Sequence, residues 1–113
     1  MRSVSVRVTA VERRTCCAHY HRAVELIGKR WSGAIIAVLL DGPLHFSELR
    51  RAVPEISDRL LSERLKELEA EGLVERRVID GSPVRTEYSL TPRGAALKPA
   101  VRTLQAWAVT YMR

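Results

Sequence analysis

Residues 57–90 read SDRLLSERLKELEAEGLVERRVIDGSPVRTEYSL, and they decide the architecture. Ser57 has the chemistry of an N-cap, because its hydroxyl can accept from a free N–H of a first helical turn. From Asp58 to Glu71, Leu61, Leu65 and Leu68 recur at helical spacing and make one apolar face. Gly72 suits the left-handed residue that ends a helix, and Leu73 is placed to fold back on Leu68. Two extended runs follow, Val74 to Ile79 and Val84 to Leu90. In the second, Val84, Thr86, Tyr88 and Leu90 alternate with polar residues, and the link Asp80-Gly81-Ser82-Pro83 is hairpin chemistry.

Upstream, Ala23, Val24 and Ile27 give a short helix over His19 to Ile27, with Gly28 able to end it. Trp31 to Leu40 reads as a second helix, its apolar face made by Ile35, Ile36, Leu39 and Leu40 and its end set by Asp41-Gly42-Pro43. Leu44 to Phe46 is a short extended link. Ser47 can cap a third helix, Glu48 to Val53, with Leu49, Ala52 and Val53 inward, and Pro54 breaks it. Downstream, Thr91-Pro92 is a cap followed by a proline at the first helical position. One helix then runs to about Tyr111, with Leu97, Val101, Leu104, Ala108 and Tyr111 at spacings of three and four. Two short helices around a tight turn, followed by a basic hairpin, make a winged helix-turn-helix, a mainly α fold with a small β-hairpin. Residues 1–15 alternate Val4, Val6 and Val8 with polar residues, a strand-like period that leaves a short strand open, and a mobile arm is the reading we favour. The folded domain is expected over residues 16–113.

Composition narrows the function. The 113 residues are 46% hydrophobic and 28% charged, as in ordinary globular domains rather than disordered chains. Ala34 to Leu40, the longest strongly apolar run, is too short to span a bilayer. No apolar signal region opens the chain, so a cytoplasmic protein without a membrane partner is expected. The formal charge is +6 and is unevenly spread. Residues 1–22 carry five Arg against one Glu, residues 23–75 seven basic against ten acidic, and residues 76–113 seven against two. A basic balance favours a polyanionic partner, whose binding face must combine the chain ends with selected side chains of the middle.

A helix fits the major groove, and a hairpin beside it reaches the backbone or a minor groove. With Leu61, Leu65 and Leu68 inward, Ser57, Arg59, Ser62, Glu63 and Lys66 are the candidates to meet DNA from the helix. Arg59 can read a guanine edge, and Glu63 can accept from a cytosine amino group. Arg76, Arg77, Ser82 and Arg85 are the candidates on the hairpin, with Arg50 as a phosphate contact. The acidic half, Glu67, Glu69 and Glu71, should point away from DNA. A winged-helix protein-interaction module would be free to lose these arginines. No paired carboxylates, phosphate-cradling loop or nucleophile–base pair is found, so no enzyme and no cofactor are expected.

The blocks RAVELIGKRW, DGPLHFSELR, SDRLLSERLKELEAEGLV and YSLTPRG, in this order, closely resemble the HxlR-type family of bacterial transcription regulators, relatives of MarR-type winged-helix proteins. The likeness runs from Cys17 to Tyr111. It implies a homodimer on a pseudo-palindromic double-stranded operator, usually repressing a neighbouring gene. It places the recognition helix on Ser57 to Glu71 and the wing on Asp80 to Val84. It also implies that Cys17 occupies the position where some members sense oxidants or electrophiles. Ala18 follows it, a mild departure from the usual proline or small residue.

The residues themselves make both ideas physically reasonable. Leu97, Val101, Leu104, Trp107 and Tyr111 offer more apolar surface than a domain of this size needs, enough for a dimer interface with the helix around Tyr20 to Ile27. Trp107 is the expected anchor, whereas Trp31 is expected in the core. Cys17 is placed near a helix N-terminus among Arg13, Arg14 and Arg22, surroundings that make a thiol reactive. A buried structural cysteine is the plainer alternative. Cys17, His19 and His21 lack a fourth metal ligand unless Cys16 joins, so no metal is expected.

Overall fold

The apolar periods of the sequence become helices around one core. The computed structural model describes Arg14 and residues 17–112. The arm expected at 1–15, Arg14 apart, lies outside the described residues, as does Cys16. The helices and strands are α1 (Ala18–Ile27), α2 (Ser32–Leu39), β1 (Leu44–His45), α3 (Phe46–Ala52), α4 (Asp58–Ala70), β2 (Val74–Ile79), β3 (Arg85–Leu90), α5 (Pro92–Ala95) and α6 (Lys98–Tyr111). The three strands form one antiparallel sheet in the order β1-β3-β2. Among the described residues no helix is long and apolar enough to cross a membrane.

The core joins Ile35, Ile36 and Leu39 of α2 to Leu49, Val53, Ile56, Leu61, Leu65, Leu68, Leu73, Val74 and Tyr88. Full burial of each such aliphatic side chain stabilises the fold by about 1.5–3 kcal/mol. Helix α4 is anchored at both ends as its sequence requires. The Leu60 N–H donates to Ser57 Oγ at 3.1 Å. At the other end, Gly72 is left-handed with φ 76°. The Gly72 N–H reaches the Glu69 carbonyl and the Leu73 N–H the Leu68 carbonyl, each at 2.9 Å. That pair of bonds, with Leu73 and Leu68 both buried, is the Schellman arrangement.

The hairpin pairs Val74 with Leu90 through to Ile79 with Arg85, leaving residues 80–84 as the tip. Val84 therefore precedes the strand instead of opening it. The extended link at Leu44 is a true strand, since Leu44 pairs with Tyr88 and His45 with Glu87. That pairing moves the start of the next helix. His45, not Ser47, is the N-cap, and its N–H donates to Glu48 Oε1 at 2.7 Å. Ala52, expected inward, is exposed, and Leu40 is half-buried. Gly28 ends α1 as expected, as its C-cap with φ −76°, and the left-handed residue of that turn is Trp31, with φ 79°. Trp31 is half-buried against the core edge.

The terminal helix is broken where one was expected. Pro99 has no N–H to give the Ala95 carbonyl, and its ring crowds that carbonyl, so the chain closes α5 at Ala95 and restarts at Lys98. Thr91 caps α5 by accepting from the Gly94 N–H, and its hydroxyl donates to the Gly72 carbonyl at 2.6 Å. Gly94 sits so close to the chain that a Cβ there would lie 2.2 Å from the Leu73 carbonyl oxygen. We therefore expect Gly94→Ala to cost about 1–3 kcal/mol of stability in a urea melt; a melt matching wild type would contradict this close approach.

Candidate nucleic-acid interface

The turn from Val53 to Ser57 joins α3 to α4, and α4 packs beside β2 of the hairpin. On α4, Arg59 and Lys66 are exposed, Glu63 is exposed, and Ser62 is half-buried at the edge of the face. The Arg59 side chain is 89% accessible, and its Nε donates to Glu63 Oε2 one turn along at 3.1 Å. Glu63 thus engages the Nε of a guanidinium that is otherwise open to solvent. Ser57 is exposed at the cap, where free N–H groups and the positive helix end favour a phosphate.

Arg50 has a different setting. Its Nε is paired with the Asp58 carboxylate, and its Nη1 donates to the Ile56 carbonyl at 3.0 Å. The side chain ties α3 to the start of α4 and neutralises the Asp58 charge where a phosphate would otherwise be repelled. Arg51, next to it, is exposed.

On the hairpin, Arg77 Nη2 reaches Glu87 Oε1 across the strands at 3.0 Å, and Arg76 Nε lies 3.8 Å from Glu69 Oε2. Among the described residues Arg85 has no ion pair, and it stands at the end of the ladder next to the exposed tip that carries Ser82. Arg85 is therefore the wing cation best placed to neutralise phosphate. We expect Arg85→Ala to lower the slope of log affinity against log salt by about 1. A slope equal to wild type would remove Arg85 from the phosphate contacts.

At the acidic end of α4, Glu67 and Glu69 have basic partners and Glu71 is exposed. Glu67 Oε2 accepts from Lys29 Nζ at 2.9 Å and lies near Arg64 Nη1. The Lys29 bond holds the Glu67 carboxyl below the ordinary carboxylate range against an opposing desolvation, with Arg64 adding to the effect. Arg64, which the periodicity of α4 did not single out, is largely covered, with 13% side-chain exposure, and its Nε donates to the Arg30 carbonyl at 2.9 Å. The Arg30 guanidinium lies 4.8 Å from the centre of the Trp31 ring. Lys29 and Arg30 are thus engaged within the chain.

The expected dimer residues divide into two groups. Leu97 and Val101 are half-buried against the core, and Arg102 donates to Asp41 at 2.9 Å, which fixes the start of α6 to the turn after α2. Beyond them α6 stands clear. Leu104, Trp107, Val109 and Tyr111 are exposed, and the Trp107 and Tyr111 rings lie 5.7 Å apart. Tyr20 and Val24 on α1 are exposed as well. Cys17 occupies the N-cap of α1 and is exposed. His21, its neighbour one turn along, lies 3.5 Å from Glu25.

Comparison with known proteins agrees with this architecture. The family described as HxlR-like helix-turn-helix matches residues 26–113. YvaP of Bacillus subtilis strain 168, an uncharacterized HTH-type transcriptional regulator, is 48% identical over 96 residues, covering 85% of this chain and 89% of that protein. The HTH-type transcriptional regulator YodB of the same organism is 48% identical over 94 residues, covering 83% of this chain and 84% of that one. The reduced form of YodB superposes with a TM-score of 0.76 at 45% identity, covering 86% of this chain and 95% of that one. YodB has also been seen diamide-treated and quinone-bound. The redox regulator HypR in its reduced form gives a TM-score of 0.78 at 36% identity, covering 82% of this chain and 92% of that one. With its winged helix-turn-helix and its match over most of the sequence, the chain belongs to the HxlR-like helix-turn-helix family of DNA-binding transcriptional regulators.

Proposed function

We propose that the chain is a homodimeric cytoplasmic repressor that reads a pseudo-palindromic operator. Helix α4 of each protomer enters a major groove through Ser57, Arg59, Ser62, Glu63 and Lys66, and the tip at 80–84 lies on the backbone or in the adjoining minor groove. The observation that carries this reading is the free stretch of α6. No residue of α6 is buried, although Leu104, Trp107 and Tyr111 stand on it. Exposed aromatic and aliphatic surface on this scale marks an interface. A second copy of the same helix covers it and fixes the distance between two reading helices. The test is the stoichiometry of complexes formed with the tightest duplex selected from a random pool. Two protomers per duplex support the reading; one protomer per duplex at saturation contradicts it.

A second reading concerns regulation. Cys17 is exposed at the N-cap of α1, the helix that carries the exposed Tyr20 and Val24, and the similar proteins YodB and HypR have been seen in redox or quinone-bound forms. On this reading an oxidant takes two electrons and two protons from a pair of thiols, one on each protomer, and joins them as a disulfide. A quinone instead adds one thiol directly. Either event alters the protomer spacing and hence operator binding. Wild-type protein should lose or change operator affinity with diamide, and Cys17→Ser should be indifferent. A mutant that still responds would show that Cys17 is not the sensor.

A further inference from the structure

The site described above depends on how α4 is rotated about its own axis, and apolar packing alone holds rotation poorly because it has no preferred direction. Leu61, Leu65 and Leu68 keep α4 against the core. A turn of about 20° at a side-chain radius of 5–6 Å moves the outer face by about 2 Å, enough to break a bidentate contact to a base. Something directional must set that angle. The structure has such a device on one flank of α4, between the reading face and the buried leucines. Arg64, largely covered, donates from Nε to the Arg30 carbonyl at 2.9 Å. Its neighbour one turn on, Glu67, accepts from Lys29 Nζ at 2.9 Å.

Both anchors belong to the turn between α1 and α2, and that turn is itself held firmly. Trp31 is left-handed, a conformation that a bulky residue adopts only when its surroundings impose it. Its ring packs at the core edge with the Arg30 guanidinium over it, and the Ser32 N–H returns to the Lys29 carbonyl at 3.0 Å. The Arg30 carbonyl is therefore a fixed acceptor rather than a mobile loop group.

We infer that Arg64, with Glu67 and Lys29, is a positioning residue: it locks the reading helix α4 to the α1–α2 turn and so to α1, and it sets base selectivity without touching DNA. This rests on α4 being the reading helix, as proposed above. It also means that any displacement of α1, the helix that begins at Cys17, is transmitted to α4 through hydrogen bonds and not only through packing.

The test uses the full chain, the tightest duplex enriched from a random pool by wild-type protein, and a scrambled duplex of the same length. Affinity for each is measured over a salt series for Arg64→Met, Lys29→Met and the double variant, with thermal melts alongside. Arg64→Met should lose about tenfold in the ratio of selected to scrambled affinity, with the salt slope unchanged. A loss of folded protein lowers both affinities equally and leaves the ratio as it was, so the ratio separates positioning from stability. Lys29→Met, at a half-exposed residue, should shift the ratio in the same direction, and the double variant should fall short of the sum because both bonds tie α4 to the same α1–α2 turn. Should Arg64→Met fold poorly, Lys29→Met and Glu67→Gln carry the test by the same ratio. A salt slope lower by about 1 with equal loss on both duplexes would make Arg64 a phosphate contact and overturn the inference. So would an unchanged ratio in every variant. Wild-type protein that enriches no duplex would overturn the DNA-reading itself, an outcome distinct from these.

Discussion

Trp107→Ala is expected to split the protomers and abolish measurable operator binding while leaving each protomer folded. Trp107 is half-exposed in the single chain, at 52%, so the protomer's own core does not depend on it. At the centre of an apolar interface a tryptophan truncation costs about 2–4 kcal/mol, and in a symmetric dimer the residue is lost twice. Leu97 and Val101 are spent on the protomer's own core, so the proposed interface is centred on Trp107, with Leu104 and Tyr111 beside it on the exposed half of α6. Sedimentation velocity at micromolar concentration measures the outcome. Wild type should run as a dimer and the variant as a monomer with an unchanged far-UV spectrum. A variant that remains dimeric would place the interface elsewhere.

The second large effect is at Arg59. Its side chain is almost fully exposed and its one partner is Glu63, an i,i+4 pair at the surface. Such pairs contribute about 0.3–0.5 kcal/mol, so Arg59→Ala should scarcely move the melting transition. In binding, loss of a bidentate contact to a guanine edge costs about 1–3 kcal/mol, and it should remove preference at one base position rather than weaken every sequence alike. Competition with single-base variants of the selected duplex measures this. Equal weakening on all of them would mean that Arg59 meets phosphate, and the base-reading role would pass to Ser62, Glu63 or Lys66.

Much of the fold that carries the candidate reading surface was legible in the sequence because its signals are local. Ser57 and Gly72 bracket α4, three leucines give its buried face, and the Asp80–Pro83 link with alternating Val84 to Leu90 gives the hairpin. What escaped was set by distant partners. Leu44 pairs with Tyr88 far along the chain, and that pairing made His45 the cap in place of Ser47. Arg64 flanks the leucine face and reads as one more surface cation until the Arg30 carbonyl, 34 residues away in sequence, is seen beside it. Arg50 looks like a phosphate ligand by its charge, yet its guanidinium is turned to Asp58 and Ile56. The left-handed Trp31 carries no sequence signal, because the usual marker of that conformation is glycine. The break before α6 did carry one, Pro99, which the continuous spacing of Leu97, Val101 and Leu104 conceals.

Hydroxyl-radical footprinting of the wild-type protein on its selected duplex is the most direct measurement of the central proposal. Two protected patches related by a two-fold axis, with centres about 10 base pairs or a multiple of that apart, are the predicted result. A single unpaired patch, or protection spread evenly along the duplex, would contradict it.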